Sequence, residues 1–558
     1  MFHRLLFIVL TTTWYGCILA PSKHSDSCAG VYCYLECVIM VYVDRTPTAA
    51  EAVDHRVVCG DLIVNPSPCD LREMARKDET TTRYGSACYV TRVRNRSAGR
   101  TYIVSGQAPI GIRQQAIDAR TAEGIVGQVR GYLSDKRLIR VDRSLCENPD
   151  ARINCRLYIT ADYARIPYMW HDTLFPPVDD EAPDAVSVYV PEWPERAVLV
   201  YPADRVTYIL GTDYFGECKK SFLRMAMYIA KGRGWLGFHA GSKVVRIRDS
   251  SGRPLDVGFI GFGLSGTGKT TLTMHDHGLG APEGVIIRQD DVVLMRPDGY
   301  CYGTENGFFF KTEGLEPSQT VLWDAATRAD SILENVAVGR DGEIDFADTT
   351  LTSNGRGVVA RRNVASTDGR VDLGRADKIV FITRRNDIIP PVVKLSPEQA
   401  AAFFMLGESI ETSAGDPARA GQSKREVGTN PFMIGPEHEE GNRLLGFLKA
   451  APEIESFLLN TGAVGEKPGS SGKKITVKTS TEIMLQIARG GISWKTDPDW
   501  GYHVPSNVRG MDMEDLEPRR YYTEREYVEL TNRLKSERAA WLGQFPSLDP
   551  GISRSIML

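Results

Sequence analysis

Residues 263–270 read Gly-Leu-Ser-Gly-Thr-Gly-Lys-Thr and fit the pattern GxxxxGK[ST]. The chemistry explains the residue types. Glycines let successive backbone N–H groups line a nest around phosphate oxygens, and a helix N-terminus behind them adds partial positive charge. Lys269 brings a point charge to the β- and γ-phosphates, and the Thr270 hydroxyl can ligate a divalent ion. Gly263, Leu264, Ser265, Gly266, Thr267, Gly268, Lys269, Thr270 and Thr271 are therefore the candidate nucleotide-binding residues. Downstream, Gln289-Asp290-Asp291 follows the apolar run GVII at 284–287. A pair of carboxylates is usually a solvated turn, but at a strand end beside a phosphate loop it suits Mg²⁺ or Mn²⁺.

These groups need a strand before the loop and a helix after it, and the sequence supplies both. The apolar run VGFIGF precedes the loop, and TTLTM continues it as a plausible helix start. Further strands are expected at 100–106, 136–142 and 155–160, then at AVLVYP, VTYILG, GWLGFH and VVRIRD after residue 195, and at KIVFIT (378–383). A helix opened by Ser and Pro is expected at 396–406, and a mixed-charge terminal helix at 524–542. The stretches 415–431 and 465–474, rich in Gly, Ser, Lys and Pro, read as a lid or solvent loops. The alternation of strands and helices gives an α/β fold in two lobes dividing near residue 240.

Composition narrows the classes. The 558 residues are 42% hydrophobic and 25% charged, an ordinary globular balance, and Lys plus Arg (67) against Asp plus Glu (71) leaves −4. That excludes a chain built to neutralise nucleic-acid backbones, and no repeat or multi-span membrane pattern is present. The first 39 residues differ. Arg4, the run LLFIVL and Ala20 imitate a secretory signal, and four of eleven cysteines crowd there. Because the later motifs need ATP and a reducing compartment, the expectation is translation from near Met40 and a cytoplasmic protein, the extension being a start-site artefact. The remaining cysteines are scattered singly, so neither a zinc site nor a disulfide framework follows, and small buried apolar roles are expected. The domains are then 1–39, 40–240 on the substrate side, and 241–558 carrying the phosphate loop.

The string GLSGTGKTTL (263–272) resembles the signature loop of the ATP-dependent phosphoenolpyruvate carboxykinases. The likeness runs collinearly through 136–160, GTDYFGECKKSF (211–222), GFHAGS (237–242), ILENVAV (332–338), 341–357, IIPPVVKLSPEQA (388–400) and NTGAVG (460–465). It implies a fold of that type and the gluconeogenic conversion of oxaloacetate and ATP to phosphoenolpyruvate, ADP and CO₂, with Mn²⁺ or Mg²⁺.

Residue by residue, the resemblance implies Arg96 as the oxaloacetate carboxylate clamp and Tyr214 as an aromatic against substrate or CO₂. Lys220, His239 and Asp291 match metal ligands, joined here by Thr270 and Asp290, with Lys219 supplying neighbouring charge. Taken alone, His239 would read as a core histidine. Arg356 matches the arginine touching both the γ-phosphoryl group and the acid, and Lys311 a lysine near the phosphoryl. Glu316, Lys474 and Ser480 fall on the ribose and adenine side. The implied catalytic set is Arg96, Lys219, Lys220, Ser265, Lys269 and Arg356, with Arg96, Tyr214, Lys220 and Arg356 on the substrate.

The chain departs from the pattern after Asp291, where VVLM replaces Glu-His-Gly-Trp, and at 94–101, where RNRSAGRT lacks the family's lysines. Lys474 stands for an arginine, removing a planar stacking surface beside the base. Two alternatives stay open at this point: a related kinase acting on another small carboxylate or a protein serine, and a nucleotide-sensing binding protein. Small-molecule substrates, no nucleic acid, no membrane, and a monomer or small homo-oligomer are expected.

Overall fold

Residues 61–210 contribute a mixed eight-stranded sheet, ordered Asp61–Val64, Arg137–Leu145, Ile153–Thr160, Ala185–Val190, Val206–Leu210, Ala197–Tyr201, Thr101–Val104, Gln115–Ile117. Successive side chains of a strand face opposite ways, and the Ala185–Val190 strand uses both faces. Val186, Val188 and Val190 pack with Val126, Val129 and Leu133 of the Ala119–Leu133 helix, while Tyr189 lies in the core holding Phe222 and Leu223. The computed structural model describes residues 57–178, 182–249, 251–264, 266–410 and 422–557. The N-terminal extension, Ser265 and positions 415–421 lie outside the described residues.

Helix α1 (Phe215–Gly232) packs against both the Ala185–Val190 strand and strand β1 (Leu236–Arg248), so nearly every side chain from Phe215 to Met227 is buried, Lys219 and Lys220 included. The expected strands GWLGFH and VVRIRD are one continuous strand, β1. The small residues between them do not break it, because a Cβ on Gly241 would meet Thr273 Oγ1 at 2.3 Å and only glycine lets the next helix come so close. Strand β2 (Pro254–Gly263) runs antiparallel to β1 and leads into helix α2 (Lys269–Met274). Strand β3 (Gly284–Gln289) pairs with the other edge of β1.

A smaller sheet is ordered β4 (Phe308–Lys311), then Arg356–Val359, then β5 (Ile332–Glu334), then Ala87–Tyr89 and Glu79–Thr81. The Arg356–Val359 strand is β6. In the large sheet β2, β7 (Lys378–Thr383) and β8 (Glu455–Asn460) are parallel neighbours, so their C-terminal ends gather beside the loop that follows Gly263. That is the edge where open α/β sheets bind ligands.

Helix α3 (Pro397–Leu406) begins at Ser396 with a capping box to Gln399 and ends at Gly407 in the left-handed region, φ 45°. Helix α4 (Val477–Arg489) is capped by Thr476, and α5 (Glu524–Leu542) by Thr523 and Glu526. No helix among the described residues is long and apolar enough to cross a membrane. The seven described cysteines are free, five of them buried, while Cys59 is half-buried and Cys69 exposed.

Candidate active site

The loop after β2 turns on its glycines. Gly266 and Gly268 take φ 84° and 95°, where a side chain would be strained, and a Cβ on Gly263 would meet Thr267 Oγ1 at 2.4 Å. Thr267 donates from both its N–H (3.1 Å) and its hydroxyl (2.8 Å) to the Leu264 carbonyl, closing the turn. Thr461, just past β8, donates to the Thr267 carbonyl at 2.7 Å and fixes the loop to the sheet. At the start of α2 the Lys269 ammonium donates to the Asp290 carbonyl at 2.7 Å, and the Thr270 hydroxyl lies 3.4 Å from Asp290 Oδ2. Thr271 points to solvent.

Beyond β3, Asp291 is the centre of a buried cluster. Lys219 and Lys220, successive on α1, both donate to its carboxylate, and Lys219 donates also to Glu305 Oε2 at 2.7 Å. His239 on β1 sets Nε2 at 3.2 Å from Asp291 Oδ1, while its Nδ1 meets the Thr429 carbonyl at 2.7 Å. Burial alone would raise the Asp291 carboxyl, but the two lysines and His239 outweigh it and hold it well below the usual range. Burial, helped by Lys219 and opposed by Asp291, pulls the Lys220 amine down to about 7. Burial and the positive charge of Lys269 pull His239 down to about 4, so its ring is neutral near pH 7.

A neutral ring whose Nδ1–H donates to the Thr429 carbonyl leaves the Nε2 lone pair facing a carboxylate oxygen. Two facing acceptors suit a cation that both can ligate. Asp290 Oδ1, buried without a hydrogen-bond partner, is a further oxygen at the same place. Among the described residues no group of three His, Cys, Asp and Glu side chains is placed to hold a metal ion. Here two such side chains, His239 and Asp291, are completed by the lowered amine of Lys220, a donor set that fits a divalent cation.

The segment carrying Arg96 is strapped to the N-terminal end of α1 from both sides of Tyr214. Asp213 accepts from the backbone N–H groups of Arg92 (3.0 Å) and Val93 (2.9 Å) and from Arg165 (2.8 Å), and Glu217 accepts from the Ser97 N–H. Arg96 then lies over the Phe432 ring, 4.2 Å from its centroid, with Nε buried and without a hydrogen-bond partner. The same ring has Lys220 above it at 4.6 Å and His239 edge-on at 5.4 Å. Asn354 joins two of the expected residues, donating to the Tyr214 hydroxyl at 3.3 Å and accepting from Arg356 at 2.7 Å. Lys311, Arg356 and Glu334 are directly opposed on β4, β6 and β5, so one face of that sheet carries a row of charge.

The structure thus brings together Lys219, Lys220, His239, Asp291, Asp290, Lys269 and Thr270, and beside them Arg96, Tyr214 and Arg356. The remaining expected residues make other contacts. The only hydrogen bond described for the exposed Glu316 side chain comes from Ser318 (3.4 Å), and Lys311 pairs with Glu313. Lys474 is exposed in a two-residue strand, while Ser480 is buried in the first turn of α4 with its hydroxyl unpartnered. Sequence reasoning missed Glu305, Asn354, Thr429 and Phe432. Thr429 lies near the end of the stretch 415–431 read as a lid or solvent loop and Phe432 just beyond it, yet residues 427–430 are buried and Thr429 holds His239.

Known proteins are similar to this chain over most of its length. The family model described as phosphoenolpyruvate carboxykinase matches residues 60–514. The chain is 34% identical over 493 residues to phosphoenolpyruvate carboxykinase (ATP) of Aeropyrum pernix, covering 88% of this chain and 95% of that protein. It is 30% identical over 351 residues to the protein of the same name from a Chelativorans species, and 29% over 374 residues to that of Mesorhizobium japonicum, spanning 62% and 65% of their lengths.

Proposed function

The chain belongs to the ATP-dependent phosphoenolpyruvate carboxykinase family, and we propose that the cluster around Asp291 is where it converts oxaloacetate and ATP to phosphoenolpyruvate, ADP and CO₂. The observation that carries this placement is the convergence of Lys219, Lys220 and His239 on Asp291, with Lys269 of the phosphate loop bonded to the carbonyl of the preceding residue.

Arg96, its Nε unpartnered, binds the oxaloacetate carboxylate through its fork of donors. Tyr214 and Arg356, tied by Asn354, close the substrate from the other side. When the bond between the departing carboxylate and its methylene carbon breaks, CO₂ leaves and the electron pair becomes an enolate. Lys219 and Arg356 neutralise that oxygen in a buried site, where fixed charges act more strongly than in water. The enolate oxygen attacks the γ-phosphorus, the bond to the bridging oxygen breaks, and Lys269 with the loop N–H groups takes up the charge of the departing ADP. Burial keeps water from protonating the enolate to pyruvate.

Lys220, His239 and Asp291 would hold the divalent cation, and their two nitrogen donors favour Mn²⁺ over Mg²⁺. When bound, such an ion supplies Lewis-acid neutralisation of phosphate and enolate charge. Use of ATP supports a cytoplasmic reading, and the substrates are small molecules.

The test is phosphoenolpyruvate formation from oxaloacetate by the purified chain, with ATP, GTP or pyrophosphate as separate donors and Mn²⁺ or Mg²⁺. Formation with ATP alone, lost in Asp291→Asn, is the expected result. Formation with GTP would keep the reaction and overturn the nucleotide, and folded protein that forms no product with any donor would overturn the placement.

A further inference from the structure

Lys243 is a lysine with no place in the chemistry above, yet only 2% of it is exposed. Its ammonium reaches three acceptors: the Leu272 carbonyl at 2.5 Å, the His275 carbonyl at 3.2 Å, and His277 Nε2 at 2.7 Å. An ammonium has three N–H donors, so each acceptor receives one. Leu272 lies in α2 and His275 is its C-terminal cap, so these N–H groups meet carbonyls that a helix end leaves without partners, while burial pulls the amine down to about 7. Two residues earlier on β1, Gly241 is the position where a Cβ would strike Thr273 of the same helix. The strand is therefore shaped to receive α2 at one residue and to bind it at the next one facing that way.

The contact continues beyond α2. His277 takes φ 58°, its Nε2 faces Lys243, and its Nδ1 meets the Thr481 carbonyl of α4 at 2.9 Å. Burial, with Lys243 beside it, keeps this imidazole neutral, one nitrogen donating and the other accepting. Thr481 follows Ser480, whose buried hydroxyl has no partner.

We propose that Lys243 and His277 are positioning residues for the nucleotide: Lys243 fixes the phosphate-loop helix to the strand that carries His239, and His277 ties both to helix α4. The proposal rests on the reading that residues 263–270 bind a nucleoside triphosphate. It separates two effects. Loss of Lys243 frees α2 and weakens anything that binds through phosphates. Loss of His277 loosens α4 and weakens a nucleotide more than bare phosphates.

Calorimetric titration of the full chain with ATP, and separately with inorganic tripolyphosphate, both with Mg²⁺, tests this. In Lys243→Met both dissociation constants rise about tenfold or more, while the KM for oxaloacetate stays within twofold. In His277→Leu the constant for ATP rises and that for tripolyphosphate does not. His277→Asn, which tolerates positive φ and can still donate and accept, recovers most of the affinity. Wild-type constants in folded Lys243→Met would overturn the proposal, as would equal losses for ATP and oxaloacetate. If circular dichroism shows Lys243→Met unfolded, the two His277 variants decide, and equal ATP affinity in both overturns it. A wild-type chain that binds neither ligand would overturn the loop's assignment instead.

Discussion

His239 faces Asp291 across 3.2 Å with the one ring nitrogen that the Thr429 carbonyl leaves free. The carbonyl fixes the tautomer and orientation of the ring, as the outer partner of a metal-binding histidine does. His239→Leu keeps the packing against Phe432 but removes the donor. It is expected to lower kcat with Mn²⁺ by about 10²-fold, read as the rate of phosphoenolpyruvate formation, with the melting temperature little changed.

Lys269 spends its ammonium on a single backbone carbonyl, that of Asp290. Lys269→Met therefore costs little stability. Removing a donor aimed at developing charge typically costs about 10²–10³ in kcat, and that loss is expected here in steady-state kinetics with saturating ATP.

Asn354 links the Tyr214 hydroxyl to Arg356, donating to the one and accepting from the other. A hydrogen bond to a charged group is worth about 1.5–3 kcal/mol, or roughly tenfold or more in binding. Asn354→Ala should raise the KM for oxaloacetate by about that factor and leave the KM for ATP within twofold.

Glu334 accepts from the Phe215 N–H at 2.9 Å, its other oxygen is buried without a partner, and burial pushes its carboxyl up to about 7. Between the ordinary glutamate value of about 4.3 and 7, the folded state binds more protons than the unfolded one, so stability falls as pH rises through that window. Glu334→Gln keeps the acceptor and removes the titration. It should be more stable than wild type at pH 8, with the difference closing by about pH 5, measured by urea unfolding.

Glu408, at the end of α3, accepts from Arg538 of α5 at 2.7 Å and from Arg425 at 2.9 Å. Burial opposes its charge, but these arginines with Arg385 hold the carboxyl far below the usual range. A depressed carboxyl stabilises above its unfolded value and loses that contribution on acidification. Glu408→Gln strands buried guanidinium charge and should cost about 3–5 kcal/mol at pH 7, a gap that narrows below about pH 4.

The phosphate loop was legible because its chemistry is contiguous: backbone nest, lysine and threonine fall within one turn of chain. Asp291 and Lys220 are separated by 71 positions, and only the family resemblance brought them together before the structure did. Glu305 sits in no motif, and Asn354, although inside the family-like stretch 341–357, has no chemistry of its own to single it out, so nothing in the residue string marks a carboxylate or an amide that matters only for what it touches. Composition misled twice. The polar character of 415–431 hid the buried backbone at Thr429, and the small residues after His239 divided in two a strand that Gly241 in fact allows to continue beneath α2.

Mn²⁺ titration of the full chain followed by electron paramagnetic resonance reports whether Lys220, His239 and Asp291 together hold one divalent cation. If they do, the chain shows one tight Mn²⁺ site without nucleotide, abolished in Asp291→Asn and weakened in His239→Leu, each shown folded by circular dichroism. Wild-type Mn²⁺ binding in folded Asp291→Asn would contradict it.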